Sequence, residues 1–251
     1  MFVVNRLEII RVQLRRRPGP LYEVHPAAIV AGLAAFLVLF FLDKIRHFRY
    51  IIVMRIIAGT KKGMRLLSPK MRISRPITDR VKESLFSVLY KYNLPAGARV
   101  ADLFCGVGSL GLEALSRGAE FVTFVEKDPK VFAILNKNIE KAGFGRDGSR
   151  TARTIRANAF NFCSFEGSGM EKPGLVFVDP PYAAAMNVRA DSPLGGLLQS
   201  LNEHVIDDGI IVVRTREDVN LLEQYGQFQI AERRKWGTMA VSMLMKTESE
   251  R

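Results

Sequence analysis

An Asp-Pro-Pro-Tyr motif stands directly after an apolar run of this sequence, where Asp179 to Tyr182 follow the segment LVFV. The exocyclic amine of a nucleobase is a poor nucleophile because its lone pair is delocalised into the ring. Hydrogen-bond acceptors such as the Asp179 carboxylate and the Pro180 carbonyl would orient that amine and stabilise the positive charge that develops during methyl transfer. The Tyr182 ring offers a stacking face, worth about 1–3 kcal/mol per base. The motif therefore favours methyl transfer to a base amine, and the alternative is an ordinary Pro-Pro turn without chemistry.

A glycine-rich segment forms the second candidate site. Gly106, Gly108 and Gly111 have the G-x-G-x-x-G spacing, which lets a backbone turn tightly and approach a ligand closely. Glu126 lies 20 residues after Gly106, where an acid can accept hydrogen bonds from both ribose hydroxyls. Asp102 precedes the glycines, and its carboxylate would repel a pyrophosphate but suits the cationic amino-acid end of S-adenosylmethionine. The set favours that cofactor over a nicotinamide dinucleotide, and the alternative for Asp102 is a buried residue at a strand end.

The elements that must position these motifs alternate between strand and helix. Helical spacing and end signals predict helices over Ile77–Tyr92, Ser109–Arg117, Pro129–Ala142 and Pro193–His204. Predicted strands cover Arg99–Phe104, Phe121–Glu126, Arg153–Ala157, Leu175–Asp179 and Gly209–Arg214, and a final hairpin covers Phe228–Arg234 and Thr238–Lys246. The pattern predicts an α/β fold with a mostly parallel, seven-stranded sheet and helices on both faces.

Charge and cysteine content narrow the class of protein. The formal net charge of +12 suits a polyanionic partner, although many basic proteins bind no nucleic acid. The two cysteines, Cys105 and Cys163, lack metal-ligand spacing, and the three histidines are scattered. We therefore predict no metal site and no disulfide framework.

The first section of the chain differs from the rest. Residues 27–42 form an unbroken apolar run of 16 residues, just short of the roughly 18–20 that span a bilayer, with basic residues on both sides. Two alternatives stay open: residues 1–53 are a membrane-anchoring extension, or they precede a natural start at Met54. The remainder, 54–251, is predicted to be one catalytic domain with a basic N-terminal arm over 54–75, which includes a small hairpin.

The motifs resemble, in order and in spacing, those of the RsmD family of methyltransferases from about Met54 to the C-terminus. The segments that carry the resemblance are RIIAGTKKGMRLLSP, RPITDRVKESLFSVL, DLFCGVGSLGLEALSRGA, VEKD and FVDPPY. The resemblance implies a Rossmann-like class I methyltransferase that uses S-adenosyl-L-methionine to methylate guanine N2 in 16S ribosomal RNA. Ile77 stands where the family usually has Thr, 143–150 is a loop expansion, and 181–193 is interpreted as a mobile lid.

The resemblance also implies roles for individual residues. The cofactor would be bound by Asp102, Phe104, Gly106, Gly108, Glu126 and Asn158, the last of these near the adenine. The target amine and base would be held by Asp179, Pro180 and Tyr182. The substrate would contact Arg75, Thr78, Asp79 and Arg80, and an RNA-facing arm would present Lys61, Lys62 and Arg65; solvated charges are the alternative. Cys105 is predicted to be a packing residue of the glycine turn, since no His lies in a matching motif.

The implied partner is 16S ribosomal RNA or a partly assembled small ribosomal subunit, and a paired target base would have to be flipped out. A cytoplasmic monomer is expected, associated with membrane only if 27–42 is a genuine anchor. Alternatives are a DNA adenine or cytosine N-methyltransferase, an NAD-binding oxidoreductase, and a membrane-anchored nucleic-acid-binding protein without catalysis.

Overall fold

The computed structural model describes residues 54–69, 77–144, 151–161 and 171–247. The predicted extension 1–53 with its apolar segment, the site residue Arg75, Cys163 and most of the expanded loop 143–150 lie outside this range. No helix within the described residues is long and apolar enough to cross a membrane.

Helices and strands follow the predicted alternation. The helices are α1 Asp79–Leu89, continued by a 3-10 turn over Tyr90–Tyr92, then α2 Ser109–Ser116, α3 Pro129–Ala142, α4 Tyr182–Ala185 and α5 Pro193–Ser200. The strands are β1 Arg99–Leu103, β2 Phe121–Val125, β3 Ala152–Ile155, β4 Leu175–Val178, β5 Ile210–Arg216, β6 Gln224–Tyr225, β7 Phe228–Trp236 and β8 Met239–Lys246.

The strands form one mixed sheet in the order β3-β2-β1-β4-β5-β8-β7-β6. The five strands β1 to β5 are parallel to one another, whereas β8, β7 and β6 join by antiparallel pairing. The predicted count of seven strands is therefore wrong, and the sheet is mixed, with five parallel strands of eight. The missed strand, β6, has two residues, which is too short to produce a hydrophobic period. The α/β class and the helices on both faces are as predicted.

Alternating side chains of the central strands supply two separate cores. Phe177 of β4 and Val212 of β5 face a cluster that includes residues of α1, α2 and α3. Their neighbours Val178 and Val213 face the opposite cluster, which includes Leu194 and other residues of α5. Because both faces are covered here, β4 and the first four residues of β5 are apolar throughout rather than alternating.

The predicted basic hairpin is present between Met54 and Leu67, where Arg55 and Arg65 form an antiparallel bridge. It docks on the fully buried carboxylate of Glu113 in α2, which accepts hydrogen bonds from the backbone N–H groups of Ile57 and Ala58 at 2.8 and 3.0 Å. The side chains of two cations complete the cluster: Arg117 Nε lies 2.8 Å and Lys82 Nζ 3.5 Å from the same carboxylate. Burial lowers the pKa of Lys82, and the charge of Glu113 opposes that shift.

A second buried side chain, Asn138 of α3, joins this arm to the glycine-rich turn. Its Oδ1 accepts a hydrogen bond from the N–H of Leu67, and its Nδ2 donates to the carbonyls of Leu67 and Val107, each at 3.0 Å. The oxygen and nitrogen of this fully buried amide thus both bind backbone groups, in two segments that are distant in the sequence. The arm is therefore fixed to the same framework that positions the glycine turn.

Candidate active site

Four neighbouring strands present functional side chains in one row at the carboxyl edge of the sheet. The last paired residues of β1, β2 and β4 are Leu103, Val125 and Val178, and Val178 is in register with Val213 of β5. The residues that follow these positions are, across the sheet, Glu126, Phe104, Asp179 and Arg214. Ligands of open α/β sheets bind at this edge, and the row therefore defines the candidate site.

The glycine-rich turn between β1 and α2 requires residues without side chains. Gly108, the residue before α2, has φ of +88°, and an added Cβ there would lie 2.7 Å from Leu135 Cδ1. At Gly111 an added Cβ would lie 2.3 Å from the Phe124 ring. Gly111 thus lets α2 lie directly on β2, while Gly108 allows the turn before the helix. At Gly106, with φ of +56°, an added Cβ would meet nothing within 4 Å, so its surroundings are open to a ligand.

Asp102 of β1 is buried beneath the start of α2, with 1% of its surface exposed. The backbone N–H of Gly111 donates a hydrogen bond of 2.8 Å to its Oδ2. The pKa of Asp102 is raised to about 8, mainly by burial and also by the charges of Asp179 and Glu126, while the Gly111 hydrogen bond opposes the shift. The buried, hydrogen-bonded state that the sequence left open as an alternative is thus observed, and it leaves a carboxyl group that a nearby cation would ionise.

Cys105 lies in the same turn and is buried in the first core cluster. Burial raises the pKa of its thiol well above the ordinary value, and the charges of Asp102 and Glu126 act in the same direction. A thiol held in its neutral form is a weak nucleophile. These observations support the interpretation of Cys105 as a packing residue.

Glu126 closes the other side of the glycine turn. Its two carboxylate oxygens accept hydrogen bonds from the backbone N–H groups of Gly106, at 3.1 Å, and Asp128, at 2.7 Å. The side chain is partly exposed, and each carboxylate oxygen has a second lone pair. Glu126 is therefore held in place while it keeps acceptor capacity for a ligand's hydroxyl groups.

An aromatic pair flanks this acid. Phe104 adopts a left-handed backbone conformation, with φ of +60°, at the end of β1. Its ring packs edge-on against that of Phe160, with 4.8 Å between ring centroids and 64° between ring planes. The exposed Asn158 lies two residues before Phe160 and accepts its backbone N–H at 3.3 Å. The predicted cofactor residues Phe104 and Asn158 thus converge on Phe160, which the sequence interpretation missed; its aromatic type after Asn158 was the available signal.

Asp179 lies between β4 and the short helix α4, next to Arg214 of β5. Arg214 Nε donates a hydrogen bond of 2.5 Å to Asp179 Oδ1, and the two side chains are 10% and 20% exposed. Burial raises the pKa of Asp179, and the Arg214 charge and hydrogen bond oppose that shift. Pro180 is buried and Tyr182 is half-buried at the start of α4. The sequence interpretation missed Arg214, because nothing in one sequence pairs residues 35 positions apart.

The predicted substrate residues at the start of α1 have structural partners. Thr78 is the N-cap of α1, with its side chain accepting the Val81 N–H at 3.5 Å. Asp79 forms an ion pair of 2.7 Å with Arg55 of the arm, and Arg80 is exposed. These contacts fix the start of α1 against the arm, and substrate contact by the three residues stays a prediction.

The segment 181–193, interpreted as a lid, begins with helix α4 and is tied to the C-terminal half of the sheet. The Tyr225 hydroxyl donates a hydrogen bond of 2.6 Å to the carbonyl of Val188 and accepts the Leu222 N–H at 3.1 Å. Ser192 caps α5 through a hydrogen bond from the Gly195 N–H. The segment is thus anchored at its middle and at its end.

Comparisons with known proteins identify relatives of this chain. The model of the family described as Conserved hypothetical protein 95 matches residues 54–245. YlbH of Bacillus subtilis is 32% identical over 199 residues, which cover 77% of this chain and 99% of YlbH. Ribosomal RNA small subunit methyltransferase D of Haemophilus influenzae is 34% identical over 168 residues, or 67% of this chain and 81% of that protein. The solved structure of Escherichia coli yhhF has a TM-score of 0.64 at 30% identity, covering 78% of this chain and 98% of yhhF.

The family match spans most of the chain, and the YlbH match covers nearly the whole relative. The resemblance stated from the motifs is confirmed: this chain belongs to the Conserved hypothetical protein 95 family, the RsmD family of methyltransferases.

Proposed function

We propose that this chain transfers a methyl group from S-adenosylmethionine to the exocyclic N2 amine of a guanine in 16S ribosomal RNA. The observation that carries the proposal is the position of Asp179, which lies in one row with Glu126 at the carboxyl edge, next to the strand that contains Asp102. Pro180, Pro181 and Tyr182 follow Asp179 directly. The related protein of Haemophilus influenzae carries the name of a small-subunit ribosomal RNA methyltransferase, which supports the choice of substrate.

The residues at the carboxyl edge fit a cationic cofactor. Three carboxyl groups lie close together there: the charges of Glu126 and Asp179 both raise the pKa of Asp102. A bound cation would reverse that unfavourable crowding of negative charge, whereas a pyrophosphate would add to it. The open surroundings of Gly106 leave room beside Glu126. We propose that Glu126 binds the ribose hydroxyls, Asp102 the amino-acid end, and Phe104 and Asn158 the adenine, beside Gly106 and Gly108.

The chemistry at the target amine falls to the Asp179 motif. When bound, S-adenosylmethionine supplies an electrophilic methyl group on its sulfonium. The Asp179 carboxylate and the Pro180 carbonyl accept the two N–H groups of the amine and so aim its nitrogen at that methyl. The same acceptors stabilise the positive charge that develops on nitrogen, and Tyr182 stacks on the base. Asp179 takes up the proton that the amine releases.

The basic arm is proposed to face the RNA. Lys62 and Arg65 are exposed. The Lys141 ammonium of α3 donates a hydrogen bond of 2.7 Å to the carbonyl of Arg65, so a third basic side chain lies beside the arm. Lys61 lies over the Phe144 ring at 5.8 Å. Because the arm is fixed through Glu113 and Asn138, these cations would meet phosphates as a rigid surface.

The test uses the full chain, labelled S-adenosylmethionine, and two acceptors: small ribosomal subunits and protein-free 16S RNA, both unmethylated. Digested nucleosides are separated by mass. We expect label in N2-methylguanosine with at least one acceptor. Asp179→Asn should lower the rate by about 100-fold or more, and Asp218→Asn, which alters an exposed carboxylate beyond β5, should leave it unchanged.

The outcomes separate the alternatives. Label in methyladenine or methylcytosine would contradict the guanine assignment and retain the amine chemistry, as would transfer to DNA alone. No transfer to any nucleic acid, from protein that still binds S-adenosylhomocysteine, would contradict the proposal as a whole. Preference for the subunit or for free RNA identifies the form in which the target is presented.

A further inference from the structure

Arg214 is the basic member of the row at the carboxyl edge. It lies one residue beyond Val213, which is in register with Val178, so Arg214 and Asp179 are neighbours across β5 and β4. The bond of 2.5 Å from Arg214 Nε to Asp179 Oδ1 joins two side chains that are 10% and 20% exposed. An arginine held in this way is a fixed part of the site, unlike the exposed Arg216 two residues later, which pairs with Asp218.

The surroundings of Asp179 disfavour a negative charge. Burial raises its pKa, and Asp102 of β1 is close enough for the two carboxyl groups to interact. Glu126, which follows β2, is a third acid, and its charge acts on Asp102. The cation that opposes the effect of burial at Asp179 is Arg214 of β5, through its charge and its hydrogen bond. Without it, the motif's carboxyl group would be protonated over a wider range of pH.

We propose that Arg214 is a positioning residue for methyl transfer, which keeps the Asp179 carboxylate charged and directs its second oxygen towards the target amine. This inference rests on the proposed function. A carboxylate bound through Oδ1 retains Oδ2 as an acceptor, and a short bond from a largely buried side chain fixes the direction of that oxygen.

The reaction explains why a charged carboxylate is needed. The amine nitrogen forms a bond to the methyl carbon while the carbon–sulfur bond breaks, and the electron pair of that bond remains on sulfur. The nitrogen then carries a positive charge and gives up one of its own two protons to Asp179 Oδ2, from which the proton passes to solvent. A protonated Asp179 would be far too weak a base to take this proton, and its O–H would meet the amine as a donor. Arg214 therefore acts through Asp179 and touches neither substrate nor methyl group.

A purely structural role, in which Arg214 only joins β4 to β5, predicts different behaviour. Its loss would then lower stability and leave the pH dependence of the reaction unchanged. The test is the pH profile of kcat for the full chain, with wild type, Arg214→Gln and Arg214→Lys, at saturating S-adenosylmethionine and ribosomal acceptor. Arg216→Gln is the matched control, since it removes a cation from the same strand outside the site. Binding of S-adenosylhomocysteine, measured by calorimetry, checks that each variant is folded.

We expect Arg214→Gln to move the acid limb of the kcat profile upward by about 1–3 pH units and to lower kcat at neutral pH about 10-fold or more, with a much smaller change in the KM for S-adenosylmethionine. Arg214→Lys should retain the wild-type acid limb and lose part of kcat, because it restores the charge without the side-on geometry of Nε. Arg216→Gln should follow the wild-type profile.

An unshifted acid limb in Arg214→Gln, in a preparation whose wild type is active, overturns this inference and leaves the proposed function intact. A wild type that transfers no methyl group to any nucleic acid refutes both. Should Arg214→Gln fail to bind S-adenosylhomocysteine, Arg214→Lys decides: a reduced kcat with an unshifted acid limb supports the inference, and an unchanged kcat overturns it.

Discussion

The backbone N–H of Gly111 donates a hydrogen bond of 2.8 Å to the buried carboxyl group of Asp102. This contact joins the strand before the glycine turn to the first turn of the helix after it. The carboxyl group is therefore part of the framework of the turn and, at the same time, the group whose ionisation would follow the arrival of a cation.

Asp102→Asn should have opposite effects on stability and on cofactor binding. Because the pKa of Asp102 rises from 3.8 when unfolded to about 8 when folded, the folded state holds the proton more tightly. Its stabilising contribution is complete below pH 3.8 and is lost as pH rises through about 8. The variant should therefore melt above the wild type at pH 8–9, with the difference disappearing towards pH 4–5, in melting curves recorded across this range. It should bind S-adenosylmethionine about 10-fold more weakly by calorimetry. Parallel melting curves at all pH values would contradict a raised pKa.

Glu126→Gln should weaken cofactor binding and leave the fold in place. The amide can still accept one of the two backbone N–H groups, from Gly106 or Asp128, but it lacks the charge of the carboxylate. Losing charged hydrogen bonds to the ribose should reduce affinity for S-adenosylhomocysteine by about 10- to 100-fold. Glu120→Gln is the control, since Glu120 precedes the same strand at the opposite edge of the sheet. Equal affinities of the two variants would exclude Glu126 from the cofactor site.

Glu113→Gln should be strongly destabilising, although Glu113 lies in no predicted site. It leaves the buried Lys82 and Arg117 without a full counter-charge beneath the arm. We expect the free energy of unfolding in urea to fall by about 3–5 kcal/mol. Glu120→Gln, which alters a pair with Arg99 in which Glu120 is largely exposed, should cost less than about 1 kcal/mol. A loss of similar size in both variants would contradict the importance of burial.

Two glycines of the arm give a matched pair. An added Cβ at Gly59 would lie 1.7 Å from the carbonyl oxygen of Ser116, whereas at Gly63 it would meet nothing within 4 Å. Both have positive φ, so each Ala variant carries a backbone cost of about 1–2 kcal/mol. Gly59→Ala should lose about a further 1–3 kcal/mol of unfolding free energy, because the arm must move off α2. Equal losses of unfolding free energy in urea for the two variants would show that the arm can move away from α2 without loss of stability.

Local signals in the sequence were enough to place most elements. Helix α3 has its predicted bounds because Asp128 caps it, Pro129 begins it and Gly143 ends it in a left-handed conformation. Helix α1 begins two residues later than predicted, because Thr78 is its N-cap rather than a helical residue. Helix α5 ends at Ser200, short of the predicted His204.

The site was predictable where it follows strands and unpredictable where it depends on pairing across the sheet. Glycine spacing and an acid 20 residues later indicate Asp102 and Glu126 without a structure. Arg214 becomes part of the site only through the register of β4 with β5, which no periodicity encodes. The buried pair of Lys82 and Glu113 was not predicted, since a single sequence does not reveal that the arm covers them.

The attachment of the arm should depend little on ionic strength, whereas any contact with RNA should depend on it strongly. The arm is held by Lys82, Glu113 and Arg117, whose side chains are no more than 7% exposed. Buried pairs are screened far less than exposed ones. A protein that makes 6–10 phosphate contacts loses roughly 10³- to 10⁵-fold in affinity between 50 and 200 mM salt. A wash in concentrated salt should therefore remove nucleic acid from this basic chain during purification, while the arm remains bound to the Glu113 carboxylate.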